Sequence, residues 1–195
     1  MASKMNPSVS VTPLTITKPE DLNIGIGSPY PSEAAAIAQV AAASFTGAFG
    51  HVVPPQDLAT FLAATYSEAA ILARMEDPSQ RLLVARNGRG DVLGLVSLGL
   101  GRSDPCLAGD AATHVELGSL YVDTSTHGRG VGSALISAVE AEARAKGFKL
   151  VWLSVWEHND RAQKLYKRLG YEYAGILQFL TGESSYTDWV LCKKL

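Results

Sequence analysis

The sequence predicts an α/β domain of the α+β kind: a twisted, mixed but mostly antiparallel sheet of six to seven strands, holding one parallel pair and flanked by about four helices. Three observations predict it. Apolar runs at 115–122 and 149–156 are joined by a helical stretch at 130–146, which requires parallel pairing through a right-handed crossover. β-leaning runs at 81–86 and 92–98 flank NGRGD, a short Asn-Gly connection of the hairpin type. Runs at 171–180 and 186–191 close the chain as a further antiparallel pair.

Taken in order, residues 1–10 read as frayed and 11–17 as a short first strand, stopped at Lys18-Pro19. NIGIGSPYP at 23–31 is turn chemistry throughout. Ser32 is then an N-cap candidate for SEAAAIAQVAAASF, rich in the best helix former, with the helix running to about Phe45. After Pro54-Pro55, Leu58, Phe61, Leu62 and Thr65 share one stripe of a segment that reads as one bent helix or two short ones. Residues 101–113 form a loop. The run 149–156 is apolar on both faces, as in a strand covered on both sides. The last helix spans 159–169 and ends before Gly170. With neither repeats nor a linker, 1–195 reads as one domain with its chemistry in 114–172.

Bulk properties exclude several classes of partner. A net charge of -2 and a pI near 6.1 supply no basic field for nucleic acid or anionic lipid, so the expected partner is a small molecule or a protein segment. Cys106 and Cys192 have no disulfide or zinc spacing and read as two reduced thiols. The first residues lack a signal-like apolar core, and no stretch approaches a membrane span of about 18 apolar residues. A cytoplasmic, reducing setting is the expectation. His51, His114 and His158 fit neither a metal site nor a triad and read as surface or loop residues. Trp152 and Trp156 read as packing in or beside the core.

The informative stretch lies between the two parallel strands. In His127-Gly128-Arg129-Gly130-Val131-Gly132-Ser133, three glycines remove the Cβ atoms that would keep successive backbone amides from converging. Those amides and the positive end of the following helix suit a pyrophosphate, with Arg129 and His127 adding charge at the rim. A dinucleotide fingerprint competes, since Gly128-x-Gly130-x-x-Ser133 nearly fits and Glu157 ends the next strand. Against it stand the Ser in third place, the polar residues between strand and glycine, and the short remainder of the chain. A Walker A loop is excluded because no Gly-Lys-Ser/Thr follows.

Joined to Asn159-x-x-Ala162-x-x-Leu165-Tyr166-x-x-x-Gly170-Tyr171, this loop resembles the GCN5-related N-acetyltransferases, the GNAT superfamily, whose co-substrate is acetyl-CoA and which need no metal. Their loop begins with Gln or Arg where this chain has His127. The match covers residues 80–195 well. The end of the chain, with Gln178, Thr187-Asp188 and a final apolar strand, is similar to the PaiA-like polyamine N-acetyltransferase branch. The resemblance implies acetyl transfer to a primary amine through a ternary complex, a small molecule such as a polyamine being preferred over a protein acceptor. It leaves a protein Nα- or lysine acetyltransferase and a silent acyl-CoA binder as alternatives, and admits a homodimer.

The chemistry requires a deprotonated amine, a polarised thioester and a proton for the thiolate. Deprotonating an alkylammonium of pKa near 10.4 costs roughly 4.6 kcal/mol at neutral pH. By resemblance, Glu116 is the base, with Asp188, Glu157, Asp160 and Glu183 as alternatives. A backbone amide of Leu120-Tyr121-Val122, with Val122 foremost, polarises the thioester from a bulged strand. Tyr166 serves the leaving thiolate, although Ala162, Leu165, Tyr166 and Leu169 also follow the spacing of a core-facing stripe. Asn159 reads as an N-cap and, by resemblance, also contacts the pantetheine arm.

Overall fold

The computed structural model describes residues 24–181 and 184–195, so the strand expected at 11–17 lies outside them, as does Glu183. Strands β1 (Gly25–Gly27), β2 (Gln80–Arg86), β3 (Val92–Leu100), β4 (His114–Val122), β5 (Leu150–Trp156), β6 (Glu172–Thr181) and β7 (Ser184–Lys194) join in one sheet, ordered β1-β2-β3-β4-β5-β7-β6. All neighbours run antiparallel except β4 and β5. The sheet is therefore the mixed, mostly antiparallel one that the sequence predicts. The β2–β3 turn is held by Asn87, whose Oδ1 accepts the amides of Arg89 and Asp91 at 2.9 Å each.

Five α-helices flank the sheet among the described residues: α1 (Ala34–Phe49), α2 (Pro55–Thr65), α3 (Glu68–Glu76), α4 (Val131–Ala145) and α5 (Asp160–Arg168). The ambiguous second segment is two helices because the Ser67 side chain accepts the Ala70 amide and starts α3 afresh. Ser32 is not an N-cap. It lies in a 3-10 turn, Pro31–Glu33, and α1 begins at Ala34. The helix also outruns its expected end at Phe45, since Phe49 packs on Phe45 with ring centroids 4.6 Å apart. The run 23–31 is not turn throughout, because Gly25–Gly27 adds a strand to β2 that is too short to leave a period in the sequence.

Two apolar layers cover the sheet. On one face α4 and α5 bury Leu135, Val139 and Tyr166 against Val115, Leu117, Val151 and Leu153. On the other, α1 and α3 bury Ile37, Phe45 and Ile71 against Val84 and Leu95. Trp152 belongs to a smaller cluster with Leu150 and Val190, closed by Leu107 of the 101–113 loop. His114 corrects the surface-or-loop reading: it opens β4 at 2% exposure, with Nδ1 2.8 Å from the Ser103 hydroxyl. The 101–113 loop thus turns a strand-initial histidine inward. No helix of the described residues is long and apolar enough to cross a membrane.

Candidate active site

β4 is interrupted where the site begins. Its register on β3 passes from Leu98↔Leu117 to Val96↔Leu120, leaving Gly118 and Ser119 opposite Ser97 alone. This bulge is built by its residues: the Ser119 amide donates to Ser97 Oγ at 2.8 Å, and a Cβ on Gly118 would lie 2.8 Å from that same oxygen. The extra residue reverses the alternation of side chains. Val115, Leu117, Leu120 and Val122 all join the α4 layer, whereas Tyr121 packs with the α1–α3 layer.

A second break aligns with the first. β4 and β5 pair only through His114↔Leu150, Val115↔Val151 and Glu116↔Trp152, and beyond that point they splay into a fork. The Asp123 amide donates to Leu93 O at 2.8 Å, which fixes the alternation of the β3–β4 ladder. Tyr121 therefore directs its amide to β3, while Leu120 and Val122 direct theirs into the fork. Tyr121 is turned away from the fork in its side chain too, its hydroxyl bonding that of Tyr66. Burial holds both phenols above their usual range.

The glycine loop follows. Asp123 caps a 3-10 turn, Thr124–Thr126, accepting the Ser125 amide at 2.8 Å. The chain then crosses Gly128 at φ 81° and Gly130 at φ 85°, and Gly130 is the N-cap of α4. Left-handed backbone at these two positions turns the loop into the helix start, and only glycine enters it without strain. The amides of His127 and Arg129 are engaged by Thr124 O and Thr126 O at 3.3 and 3.2 Å. Those of Gly128, Gly130, Val131, Gly132 and Ser133 have no protein acceptor among the described residues, and unpaired amides at a helix start are suited to an anion.

α5 forms the other wall. Asn159 caps it, Oδ1 accepting the Ala162 amide at 3.1 Å. Gln163 donates to Trp156 O and Glu157 O at 3.1 and 2.9 Å, tying α5 to the end of β5. Ala162 and Leu165 pack against the α4-side core. The Tyr166 ring is buried there and meets Tyr171 edge-on at 5.7 Å. Its hydroxyl has no protein partner among the described residues, and burial raises it well above the usual phenol range. It stays protonated throughout the physiological range.

The candidate acids fall at different places. Glu116, at the base of the fork, is ion-paired with Arg102 at 3.1 Å. Asp188 lies across from Trp156 on β7, accepts the Ser154 hydroxyl at 2.9 Å and has no cationic partner among the described residues. Burial first, then the Glu157 charge, raises its carboxyl above the usual range, with the Ser154 bond opposing them. Glu157 follows β5 directly, beside His158 at 3.9 Å. Asp160 instead lines a groove of about 620 Å³ between α5 and β6–β7, with Lys167, Tyr173 and Trp189.

Sequence reasoning did not find two features of this site. Trp156 stands outside the core clusters, its ring 5.4 Å from Phe49, 6.1 Å from His51 and 5.2 Å from His158. Residues near 50 and near 157 thus meet at the end of β5, a contact no local pattern encodes. Nor did the sequence anticipate Ser44 of α1, whose Oγ donates to Val122 O at 2.8 Å.

Comparison with known proteins agrees with this architecture. The acetyltransferase (GNAT) family model matches residues 44–171. An uncharacterised N-acetyltransferase of Mycobacterium tuberculosis is 33% identical over 164 residues, covering 84% of this chain and 99% of that protein. The PaiA N-acetyltransferase of Thermoplasma acidophilum, solved in complex with coenzyme A, superposes with a TM-score of 0.71 at 17% identity, covering 89% of this chain and 100% of its own. An N-acetyltransferase structure from Staphylococcus aureus gives a TM-score of 0.68 at 21% identity, over 88% of this chain and 98% of its own. At these identities the two structures speak for the fold, and the family model and the mycobacterial relative speak for the kind of enzyme. The chain belongs to the GNAT family of acetyltransferases and is an acetyl-CoA-dependent N-acetyltransferase.

Proposed function

We propose that this enzyme acetylates the primary amine of a small molecule, polyamines first, by direct attack within a ternary complex. The observation that carries the acceptor class is Asp188, a buried carboxylate without a cationic partner among the described residues, with the Glu157 charge near it and Trp156 as its register partner on β5. A buried, uncompensated carboxylate is costly, and an acceptor ammonium would supply its counter-charge. An additional ammonium along a polyamine would find Glu157.

The residues present fit acetyl-CoA. Unpaired amides at Leu120 and Val122 suit an extended pantetheine arm lying in the fork, with Asn159 and Ala162 on its far wall. The amides of Gly128 and of Gly130 to Ser133 suit the pyrophosphate, with Arg129 at the rim. Bound acetyl-CoA supplies the thioester carbon. Glu116, directly or through water, takes the proton of the acceptor ammonium, and the freed amine lone pair forms the new N–C bond as the C–S bond breaks. The Val122 amide donates to the carbonyl oxygen as charge gathers there. The Tyr166 hydroxyl protonates the departing sulfur, and the second proton shed by the acetylated nitrogen restores the phenol, so that the amide, the free thiol and a protonated Glu116 result.

Thiol release measured over polyamines, amino acids, aminoglycosides and peptides tests the acceptor class. Polyamines are expected to turn over fastest. Turnover confined to peptides would replace the acceptor with a protein, and acetyl-CoA binding without turnover of any amine would make the chain a silent acyl-CoA binder.

A further inference from the structure

His127 stands where three elements cross. Its Nε2 lies 3.1 Å from Val122 O at the end of β4, and its Nδ1 lies 2.7 Å from Arg161 Nη1 on α5. A guanidinium only donates, so Nδ1 accepts and the ring proton sits on Nε2, which donates to Val122 O. The same carbonyl accepts the Ser44 hydroxyl of α1 at 2.8 Å. Val122 is thereby held from α1 and from the glycine loop, and the loop is held to α5. The His127 backbone amide is already occupied by Thr124 O, which leaves the imidazole as the part of this residue available for a role at the fork.

We infer that Ser44, His127 and Arg161 form a clamp that fixes the position of Val122 and couples it to α5. His127 and Ser44 are then positioning residues for acetyl transfer. The inference rests on the Val122 amide being the donor to the thioester oxygen. It also accounts for a departure from the family pattern. Gln, one of the two residues usual at position 127, has an N–H₂ for Val122 O and an oxygen for Arg161, as the imidazole has. Arg, the other, has donors only and would face Arg161 with like charge. In this chain the two usual residues are therefore not equivalent, and Arg161 is what separates them.

The experiment compares His127→Ala, His127→Gln, His127→Arg, Ser44→Ala and Arg161→Ala in the full chain. It reads kcat, KM for acetyl-CoA, acetyl-CoA affinity by calorimetry, and Tm. His127→Ala is expected to lower kcat/KM for acetyl-CoA about tenfold, the scale of a hydrogen bond to a charged group. His127→Gln should recover most of that loss, whereas His127→Arg should fall to the level of Ala or below. Ser44→Ala and Arg161→Ala should each lose severalfold, and the exposed position of Arg161 keeps that variant folded. Nitrogen-15 spectra of labelled histidine should show His127 protonated on Nε2 and bare on Nδ1.

Equal behaviour of Ala, Gln and Arg at 127, or a proton on Nδ1, would overturn the clamp. If the wild-type chain binds acetyl-CoA and turns over no amine, the acceptor reading fails instead. The clamp is then decided by the ring tautomer and by whether acetyl-CoA affinity follows the order Gln, Ala, Arg.

Discussion

Glu116 and Trp152 are the last residues in register across the parallel strands, and the Gly118–Ser119 bulge begins two residues after Glu116. Where β4 leaves β5 it therefore also changes which side chains face which layer. The reversal puts Leu120 and Val122 on the α4 side, with their amides in the fork, and leaves Glu116 and Tyr121 on the opposite side. A carboxylate thus lies on one side of the opening and a phenol, Tyr166, on the other, which suits the roles proposed for them as base and leaving-group acid.

Tyr166→Phe separates chemistry from packing. The hydroxyl has no protein partner among the described residues, so its removal should change stability by less than about 1 kcal/mol. Loss of the donor to sulfur should lower kcat at least about a hundredfold, with acetyl-CoA affinity nearly unchanged. Steady-state kinetics over a pH range, alongside calorimetry, decides it. Unchanged kcat at every pH would remove Tyr166 from the leaving-group role.

Asp188→Asn tests the proposed ammonium site and has a signed dependence on pH. Burial raises the Asp188 carboxyl above its usual range, so the folded state favours the protonated form. That preference stabilises the fold fully below about pH 4, the unfolded carboxyl range, and is lost as pH rises through the raised value. Asn mimics the protonated form. The stability difference should therefore move in favour of Asn between pH 4 and 7, while kcat/KM for a polyamine falls at neutral pH. A flat difference in Tm over that range would contradict the burial argument, and unchanged polyamine kinetics the ammonium site.

Gly130→Ala probes the loop. Space is open around that position, so the cost is the left-handed backbone at φ 85°, about 1 kcal/mol. Relief of the strain by turning Gly130 away would misdirect the first amides of α4 and weaken acetyl-CoA binding. Gly88→Ala, also in open space but without positive φ, is the control and should leave both unchanged. Equal acetyl-CoA affinities for the two variants would dissociate the loop conformation from binding.

The order of elements from 80 onward was legible because it rests on local signals: a hairpin dipeptide, two apolar runs, a glycine cluster, and an N-cap three residues before Ala162. The rest depends on contacts distant in sequence. His114 reads as a surface residue until the Ser103 hydroxyl is brought to it. Gly25–Gly27 is a strand only because β2 lies beside it. The loop amides follow from glycine spacing, but the division between engaged and open amides follows from the 3-10 turn that Asp123 caps. For His127 the sequence marked the departure from the family pattern and a charge at the rim of the loop; the ring is instead engaged by Val122 O and by Arg161, partners that lie on β4 and 34 residues on and that no local pattern encodes.

Glu33→Gln should weaken the attachment of β1 and α1 in a pH-dependent way. The Glu33 carboxylate accepts Arg86 Nε and Nη2 at 2.5 and 2.6 Å, and Arg86 also donates to Ser28 O at 2.9 Å. These bonds, the Arg86 side chain first, hold the Glu33 carboxyl below its ordinary value of 4.5. The stabilisation they supply is complete above that value and is lost as pH falls through the lowered one. Both side chains are mostly buried, so the loss in Glu33→Gln at pH 7 should be about 2 kcal/mol. Urea unfolding of both proteins from pH 7 to pH 3 should show the gap shrinking only below about pH 4.5. A gap that stayed constant to pH 3 would mean that the contribution of Glu33 is packing, with its charge immaterial.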